Sequence, residues 1–368
     1  MFDASAPRPQ CVPVWDLPLR LFHGSLLLGV ATAAVTGFLL DATWLNLHLI
    51  GGTAIIVLLA FRLVWGFTGT SFSRFKSFLF SPRQTIARFK GVIAGDAPHH
   101  DGHNPVGAAM IFALLGSLAA LTITGVVVLG GAEKQGPLKA FVSFATASLT
   151  RQIHELFAYG LLALIVGHVA GVILESRRSG VNLARSMVTG KKPSLQIIPL
   201  APPRIGRFFA SAIAMTIILG GGAYAMWRQP ASGVPQAALD ETYAKNCGDC
   251  HIPFHPSLRG KAAWGQIMAN LSDHFGEDAS LDDATTAQLA AYLGNNAAEA
   301  WDTRAANVFR GPEPLAMTET AFWKRRHAGI DAAVFKRQKV ETKSNCEACH
   351  GDARQGLFMP QAIDIPKE

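Results

Sequence analysis

Charged side chains are scarce in this chain. Lys, Arg, Asp and Glu make up 16% of its 368 residues, few for a soluble protein, and the mean hydropathy is +0.24. That shortage excludes a wholly soluble globular body. Acidic residues are rarest in residues 1–230, which hold 8 against 19 basic ones, whereas residues 231–368 hold 18 against 14. The pI of 9.3 therefore averages two unlike halves and is no argument for a nucleic-acid partner. Basic residues beside membrane spans have a simpler cause, the orientation of those spans. A cleavable leader also reads as lacking, because Met1–Leu19 has no apolar core and the first apolar run is followed by others. Of five cysteines, four lie in two C-x-x-C-H motifs, and Cys11 stands apart with no role assigned.

What the chain does have is long apolar runs. Five are long enough to span a bilayer, at about 21–40, 47–67, 106–131, 153–174 and 208–227. Residues 1–20, 68–105 and 175–207 carry 2, 5 and 7 Lys/Arg, whereas 41–46 and 132–152 carry none and 3. The positive-inside rule then puts the N-terminus in the cytoplasm and everything after span five outside. The expected domains are a membrane domain over 1–195, a fifth transmembrane helix at 208–227, a linker over 228–239 and an outer domain over 240–368. Residues 82–93 mix basic and apolar side chains as a short helix on the inner membrane surface would. The cluster His99, His100 and His103 has metal-binding atoms but reads as a solvated loop. In the outer domain a periodic apolar face of Leu289, Tyr292 and Leu293 predicts a helix over 280–298; the rest reads as loop-rich.

Ionisable residues inside membrane helices are costly and usually functional. Span four has two histidines, His154 and His168. Fourteen residues apart, they share one helix face about 21 Å apart along the axis, which suits a helix serving two stacked haems. Partners at matching depth are His23 in span one and His48 in span two. The expected pairs are His23 with His168 at an inner haem b iron and His48 with His154 at an outer one. Span three has no histidine and reads as scaffold. The small residues Gly24, Gly51, Gly52, Gly160, Gly167 and Gly171 accompany these histidines, and close helix packing, as at Gly167-x-x-x-Gly171, explains them as well as a haem face does. Arg62 is the favoured span-end arginine for a haem propionate.

Cys247-Gly-Asp-Cys250-His251 and Cys346-Glu-Ala-Cys349-His350 have the spacing of covalent c-type haem attachment. Two thiols bond one porphyrin and the adjacent histidine reaches its iron. A four-cysteine zinc site, disulfides or a thiol-redox motif would leave the histidine after both pairs unexplained. The topology places both motifs outside the cytoplasmic membrane. Sixth-ligand candidates are His274, His255 and Met268 for the first haem, and His327, Met359 and Met317 for the second.

Together these residues carry a family resemblance. Val14–His23, Phe61–Phe67, His154-Glu-Leu, Gly167-His168 and Glu175–Arg178 resemble the prokaryotic cytochrome b561 and hydrogenase b-type cytochrome family over about 10–195. The resemblance implies a four-helix di-haem b core with histidines from spans one, two and four. Residues 240–366 are similar to di-haem c cytochromes of the DHC type, on Cys247–His251, Trp264–Gly276, Lys324–His327 and Cys346–His350. That resemblance implies bis-histidine ligation, by His251 with His274 and by His350 with His327. The expected fold class is all-α: a membrane four-helix bundle, a fifth spanning helix and a small, mostly helical periplasmic domain. The expected function is electron transfer between the membrane quinone/quinol pool and a periplasmic redox protein, such as a small cytochrome, through two b and two c haems, in a bacterial inner membrane. No catalytic side chain is required, although Glu155 is a candidate acceptor for quinol protons and pairing with Arg151 is its structural alternative. Two rival functions are the membrane anchor of a larger dehydrogenase or hydrogenase-type complex and a haem-based ligand-binding or sensor protein. A homodimer or a larger complex is compatible with either.

Overall fold

The computed structural model describes residues 10–94, 104–194, 201–248 and 251–367. The architecture is all-α. Among the described residues, sheet is confined to one antiparallel ribbon, β1 (Gln10–Pro13) against β2 (Lys191–Ser194), with Cys11 opposite Pro193. The chain divides into two compact units, residues 1–125 with 151–224 and residues 126–150 with 225–368.

In the first unit lie α1 (Leu17–Phe38), α2 (Leu45–Thr68), α3 (Pro82–Ala94), most of α4 (Pro105–Ala132) and α5 (Phe144–Ser179), and the short α6 (Leu183–Thr189). Asp16 starts α1 by accepting from the Leu19 amide at 2.9 Å, the usual N-cap arrangement. The same carboxylate accepts from Trp65 Nε1 at 3.1 Å, Thr70 Oγ1 at 2.7 Å and Ser73 Oγ at 2.6 Å. It thereby ties the start of α1 to the end of α2. The helix α5 begins at Phe144 rather than near 153, because Ser143 caps it through the Thr146 amide and nothing in residues 144–152 breaks a helix. Buried Arg88 of α3 pairs with Glu175 of α5 at 3.2 Å. That contact fixes the basic, amphipathic helix expected over 82–93. Residues 99–103 lie outside the described residues.

Four of these helices, α1, α2, α4 and α5, and the segment Ile205–Trp227 are long and apolar enough to cross a membrane. The last of these is α7 (Ile205–Met215), a π turn over Thr216–Gly220, and α8 (Gly221–Trp227). Leu28, Leu156, Val166 and Ile218 are each well exposed. Such outward apolar faces suit lipid as the solvent, where helices satisfy their own backbone. The interior is thin, with Ile55, Leu118 and Leu161 at its centre. The helices α1 and α2 meet most closely at two glycines: a Cβ on Gly51 would stand 3.3 Å from the Gly29 carbonyl. The Gly167-x-x-x-Gly171 stripe does not play that part. A Cβ on Gly171 would meet nothing, and one on Gly167 would meet only the tip of Met110.

The second unit comprises the α4–α5 hairpin and a C-terminal set of short helices: α9 (Glu241–Asn246), α10 (Lys261–Ala269), α11 (Asp283–Asn295), α12 (Arg304–Phe309) and α13 (Ala321–His327). Lys134 Nζ of the hairpin lies 2.6 Å from Asp302 Oδ2, the Phe144 amide donates to the same oxygen at 2.9 Å, and Glu133 pairs with Arg304. The stretch expected as a linker is packed here: the Ser232 amide donates to the Lys139 carbonyl at 3.1 Å and the Asp302 amide to the Gly233 carbonyl at 2.7 Å. The helix expected over 280–298 is the shorter α11, started by Asp282 accepting from the Thr285 amide. Its Leu289 and Leu293 are fully buried with Tyr243, Trp264 and Met268. A second cluster gathers Leu258, Ala305, Phe309 and Met317. Two of the three methionines weighed as ligands, Met268 and Met317, are thus core residues.

Candidate metal centres

Three histidine pairs come together across nearly one distance. Ring centroids are 6.4 Å apart for His48 and His154, 6.3 Å for His251 and His274, and 6.3 Å for His327 and His350. A metal–imidazole bond of about 2 Å, with the nitrogen roughly 1.1 Å from its ring centre, puts two imidazoles flanking one metal about 6.2 Å apart. The spacing is therefore that of two rings with one metal ion between them, too wide for direct stacking and too narrow for another side chain. The fourth expected pair, His23 and His168, is close enough for its charges to interact.

Hydrogen bonding fixes which nitrogen faces inward. His251 Nδ1 lies 2.7 Å from the Ile252 carbonyl and His327 Nδ1 lies 2.9 Å from the Trp323 carbonyl. A carbonyl only accepts, so each Nδ1 holds the proton and Nε2 keeps the lone pair a metal needs. The His48–His154 pair reaches the same state through hydroxyls. Thr36 Oγ1 donates to the Thr32 carbonyl at 2.7 Å, so at 3.1 Å from His48 Nδ1 it accepts. Thr124 Oγ1 donates to the Ala120 carbonyl at 2.7 Å and accepts from His154 Nδ1 at 2.9 Å. The next residue is glycine in both cases. A Cβ on Gly37 would stand 3.4 Å from His48 Cε1, and one on Gly125 would stand 3.3 Å from His154 Cε1. Each ring thus rests on a Thr-Gly step of a neighbouring helix.

That arrangement corrects the reading of span three as scaffold, since α4 supplies the seat of His154. Sequence reasoning passed over Thr36, Gly37, Thr124 and Gly125. The signal was there: Thr-Gly recurs in spans one and three, neither of which supplies this histidine pair.

The C-terminal rings are held locally. His274 is set by a tight turn in which its amide donates to the Glu277 carbonyl at 2.7 Å, with Phe275 at φ +56° and Gly276 at φ +97°. His327 ends α13 stacked on Trp323, centroids 4.2 Å apart. His350 follows a 3-10 turn over Cys346–Ala348, its amide donating to the Cys346 carbonyl at 2.8 Å. Burial and the neighbouring His327 push the His350 imidazole down to about 4, and its buried Nδ1 has no hydrogen-bond partner among the described residues. Burial raises the thiols of Cys247 and Cys349 and pushes that of Cys346 up to about 11. A reactive thiolate site needs the opposite environment. Cys11, Cys247, Cys346 and Cys349 are in no disulfide; Cys250 lies outside the described residues.

His255 and Met359, the remaining sixth-ligand candidates, are otherwise engaged. His255 Nδ1 accepts from the Ser257 amide at 3.1 Å, so the proton sits on Nε2 and that nitrogen lacks a lone pair for a metal. Met359 Sδ accepts from Gln135 Nε2 at 3.2 Å. Arg62 is buried, its guanidinium 4.4 Å above the Phe75 ring and donating to the Ser73 carbonyl at 3.1 Å. Arg151 and Glu155 form an exposed pair at 3.8 Å.

Comparison with known proteins finds one family match in each part of the chain. Residues 14–190 match the family described as prokaryotic cytochrome b561, and residues 243–358 match the family described as dihaem cytochrome c. The probable Ni/Fe-hydrogenase 1 B-type cytochrome subunit of Escherichia coli K12 is 25% identical over 210 residues, 48% of this chain and 88% of that one. A solved diheme cytochrome c from Rhodobacter sphaeroides is 35% identical, covering 33% of this chain and all of that one, with a TM-score of 0.29. One from Shewanella baltica is 33% identical, covering 34% of this chain and 93% of that one, also at 0.29.

Proposed function

We propose that this chain, which belongs over residues 14–190 to the prokaryotic cytochrome b561 family and over residues 243–358 to the dihaem cytochrome c family, and which is an integral membrane electron-transfer protein of haem b and haem c, moves electrons between the membrane quinone/quinol pool and a periplasmic redox protein. Two b and two c haems form its chain of carriers in the inner membrane. The observation that carries this reading is the recurrence of one ring spacing, 6.3–6.4 Å, in both units. His48 with His154, and His23 with His168, would hold the b haems. His251 with His274, and His350 with His327, would hold the c haems, tethered by Cys247, Cys250, Cys346 and Cys349. Arg62 remains the candidate for a b-haem propionate.

The haems, when bound, supply one-electron chemistry, and the protein sets where and at what potential it occurs. With two histidines held at each iron, no position would stay open for an outside ligand, which would favour electron transfer over ligand binding. Threonine hydroxyls hold the Nδ1 protons of His48 and His154, and backbone carbonyls those of His251 and His327, so these four rings stay aligned and basic.

Quinol added to the full chain in lipid nanodiscs, with the b and c absorption bands followed separately, tests the proposal. Reduction of both sets at a saturable rate is the expected result. Bands that respond to dithionite but never to quinol would remove quinone from the account. The hydrogenase-subunit relative favours a second reading, in which the membrane unit anchors a larger oxidoreductase. Co-purification of a flavin-, nickel- or molybdenum-bearing subunit is its distinguishing outcome.

A further inference from the structure

Arg259 is 3% exposed, and its Nε and Nη2 have no hydrogen-bond partner among the described residues. A guanidinium is charged at any working pH, and burying it without an acceptor is among the costlier arrangements a core can hold. The backbone holds it in place on both sides. The Arg259 amide donates to the Pro256 carbonyl at 3.3 Å and its carbonyl accepts from the Ala298 amide at 2.9 Å. The side chain is therefore held inside by its surroundings and has not strayed there from the surface.

Its place in the fold suggests what the missing acceptor is. Leu258, the preceding residue, belongs to the buried cluster with Ala305, Phe309 and Met317 against which Phe254, Trp323 and Phe358 pack. Phe254 lies 5.0 Å from the ring of His251, Trp323 stacks on His327, and Phe358 lies 5.1 Å from His350. Residues 254–259 thus run between the two histidine pairs of this unit. Glu313 is the acidic residue whose charge reaches Arg259, but it is exposed and leaves both nitrogens unbonded. We propose that Arg259 binds a propionate carboxylate of one c haem, donating from Nε and Nη2 in the paired geometry that a guanidinium offers a carboxylate. The proposal rests on the haem reading above.

The arginine charge does two things there. It neutralises a carboxylate that would otherwise be buried alone. It also favours the reduced haem, whose iron carries one positive charge fewer, so its removal lowers that haem's potential.

Potentiometric titration of the purified full chain at the c-type band tests this, after a pyridine haemochrome count. A chain without c haems refutes the haem reading itself. With both c haems present, R259Q is expected to lower one of the two c waves and leave the other. The expected fall is about tenfold in the reduced-to-oxidised ratio at fixed ambient potential, or about 59 mV for one electron. R259K keeps the charge and should recover most of it, while E313Q should leave both waves in place. Two unmoved waves in R259Q, or a shift of comparable size in E313Q, would overturn the proposal. Where R259Q fails to load haem, R259K decides through resonance Raman: its propionate-bending band shifts if the paired bonds are lost, and an unchanged band refutes the assignment.

Discussion

The membrane pair His48–His154 and the C-terminal pair His251–His274 have nearly the same ring spacing, yet they are built by opposite means. In the membrane pair each ring stands on a regular helix and is seated by a Thr-Gly step on a neighbouring one. In the C-terminal unit each ring is placed by its own turn, a nearby carbonyl or an aromatic face. The lesson is that the solvent decides. In lipid the backbone must stay helical, so precision comes from interhelical contacts. In the C-terminal unit the chain can turn freely, and local turns replace helix geometry.

Removing one ring from each unit breaks the comparison most sharply. H154A is expected to lose one b haem per chain, since His48 alone, with no covalent tether, is left to hold it, as a haemochrome count would read. H274A should keep both c haems through their cysteines but open one iron, gaining a carbon monoxide band on reduction. Loss of c haem from H274A would show that the tethers do not suffice.

The boundary between the units can be sharpened at Asp302. Lys134 is almost fully buried and its partner about one-third exposed. D302N leaves that ammonium without a counter-charge, at a cost of about 3 kcal/mol, the low end for breaking a buried pair. Thermal unfolding followed at the c-type Soret band should show it; a shift below about 0.5 kcal/mol would mean the hairpin is not part of the C-terminal fold.

A comparable effect belongs to His255, in acid. Burial pushes its imidazole down to about 4, below the ordinary value of about 6.5. Between those two values the unfolded chain binds the extra proton, so the stability this residue allows is complete above 6.5 and is lost as pH falls toward 4. The gap bounds the loss at about 3 kcal/mol. H255N should flatten that part of the stability–pH curve; an unchanged slope would place the acid sensitivity elsewhere.

Smaller again is the threonine seat. T124V removes the acceptor of His154 Nδ1 while keeping its volume. Loss of such a supporting bond typically weakens metal binding 10- to 100-fold. Haem transfer to apomyoglobin would run faster from this site by about that factor, with no counterpart in the C-terminal unit. Equal rates would mean that Thr124 only packs.

Much of this architecture is legible in residues. Apolar run length locates the spans because the bilayer fixes how long a helix must be, and the C-x-x-C-H spacing marks the c motifs because two thiols and a ligand must reach one porphyrin. What is illegible is contact between distant residues. Nothing local says that Gly51 rather than Gly171 marks a close crossing, or that Thr124, thirty residues before His154, supports it. The packing of residues 230–235 is hidden for the same reason: Pro and Gly describe a chain that turns, whether or not something lies beneath it. The tautomer of His255 is set by an amide two residues on, which composition cannot report.

The smallest expected effect concerns Arg151 and Glu155, one helical turn apart beside His154. Both side chains are more than half exposed and 3.8 Å apart, so the pair is worth a few tenths of a kcal/mol at most. E155Q should therefore leave unfolding and haem content unchanged. If Glu155 accepts a proton from quinol at this end of the bundle, the same variant slows quinol-driven reduction while dithionite reduction proceeds as before. That split separates the two roles, because a structural pair would move both readouts or neither. An unaltered quinol rate in E155Q removes this carboxylate from the proton path, and a loss of haem makes it part of the His154 seat.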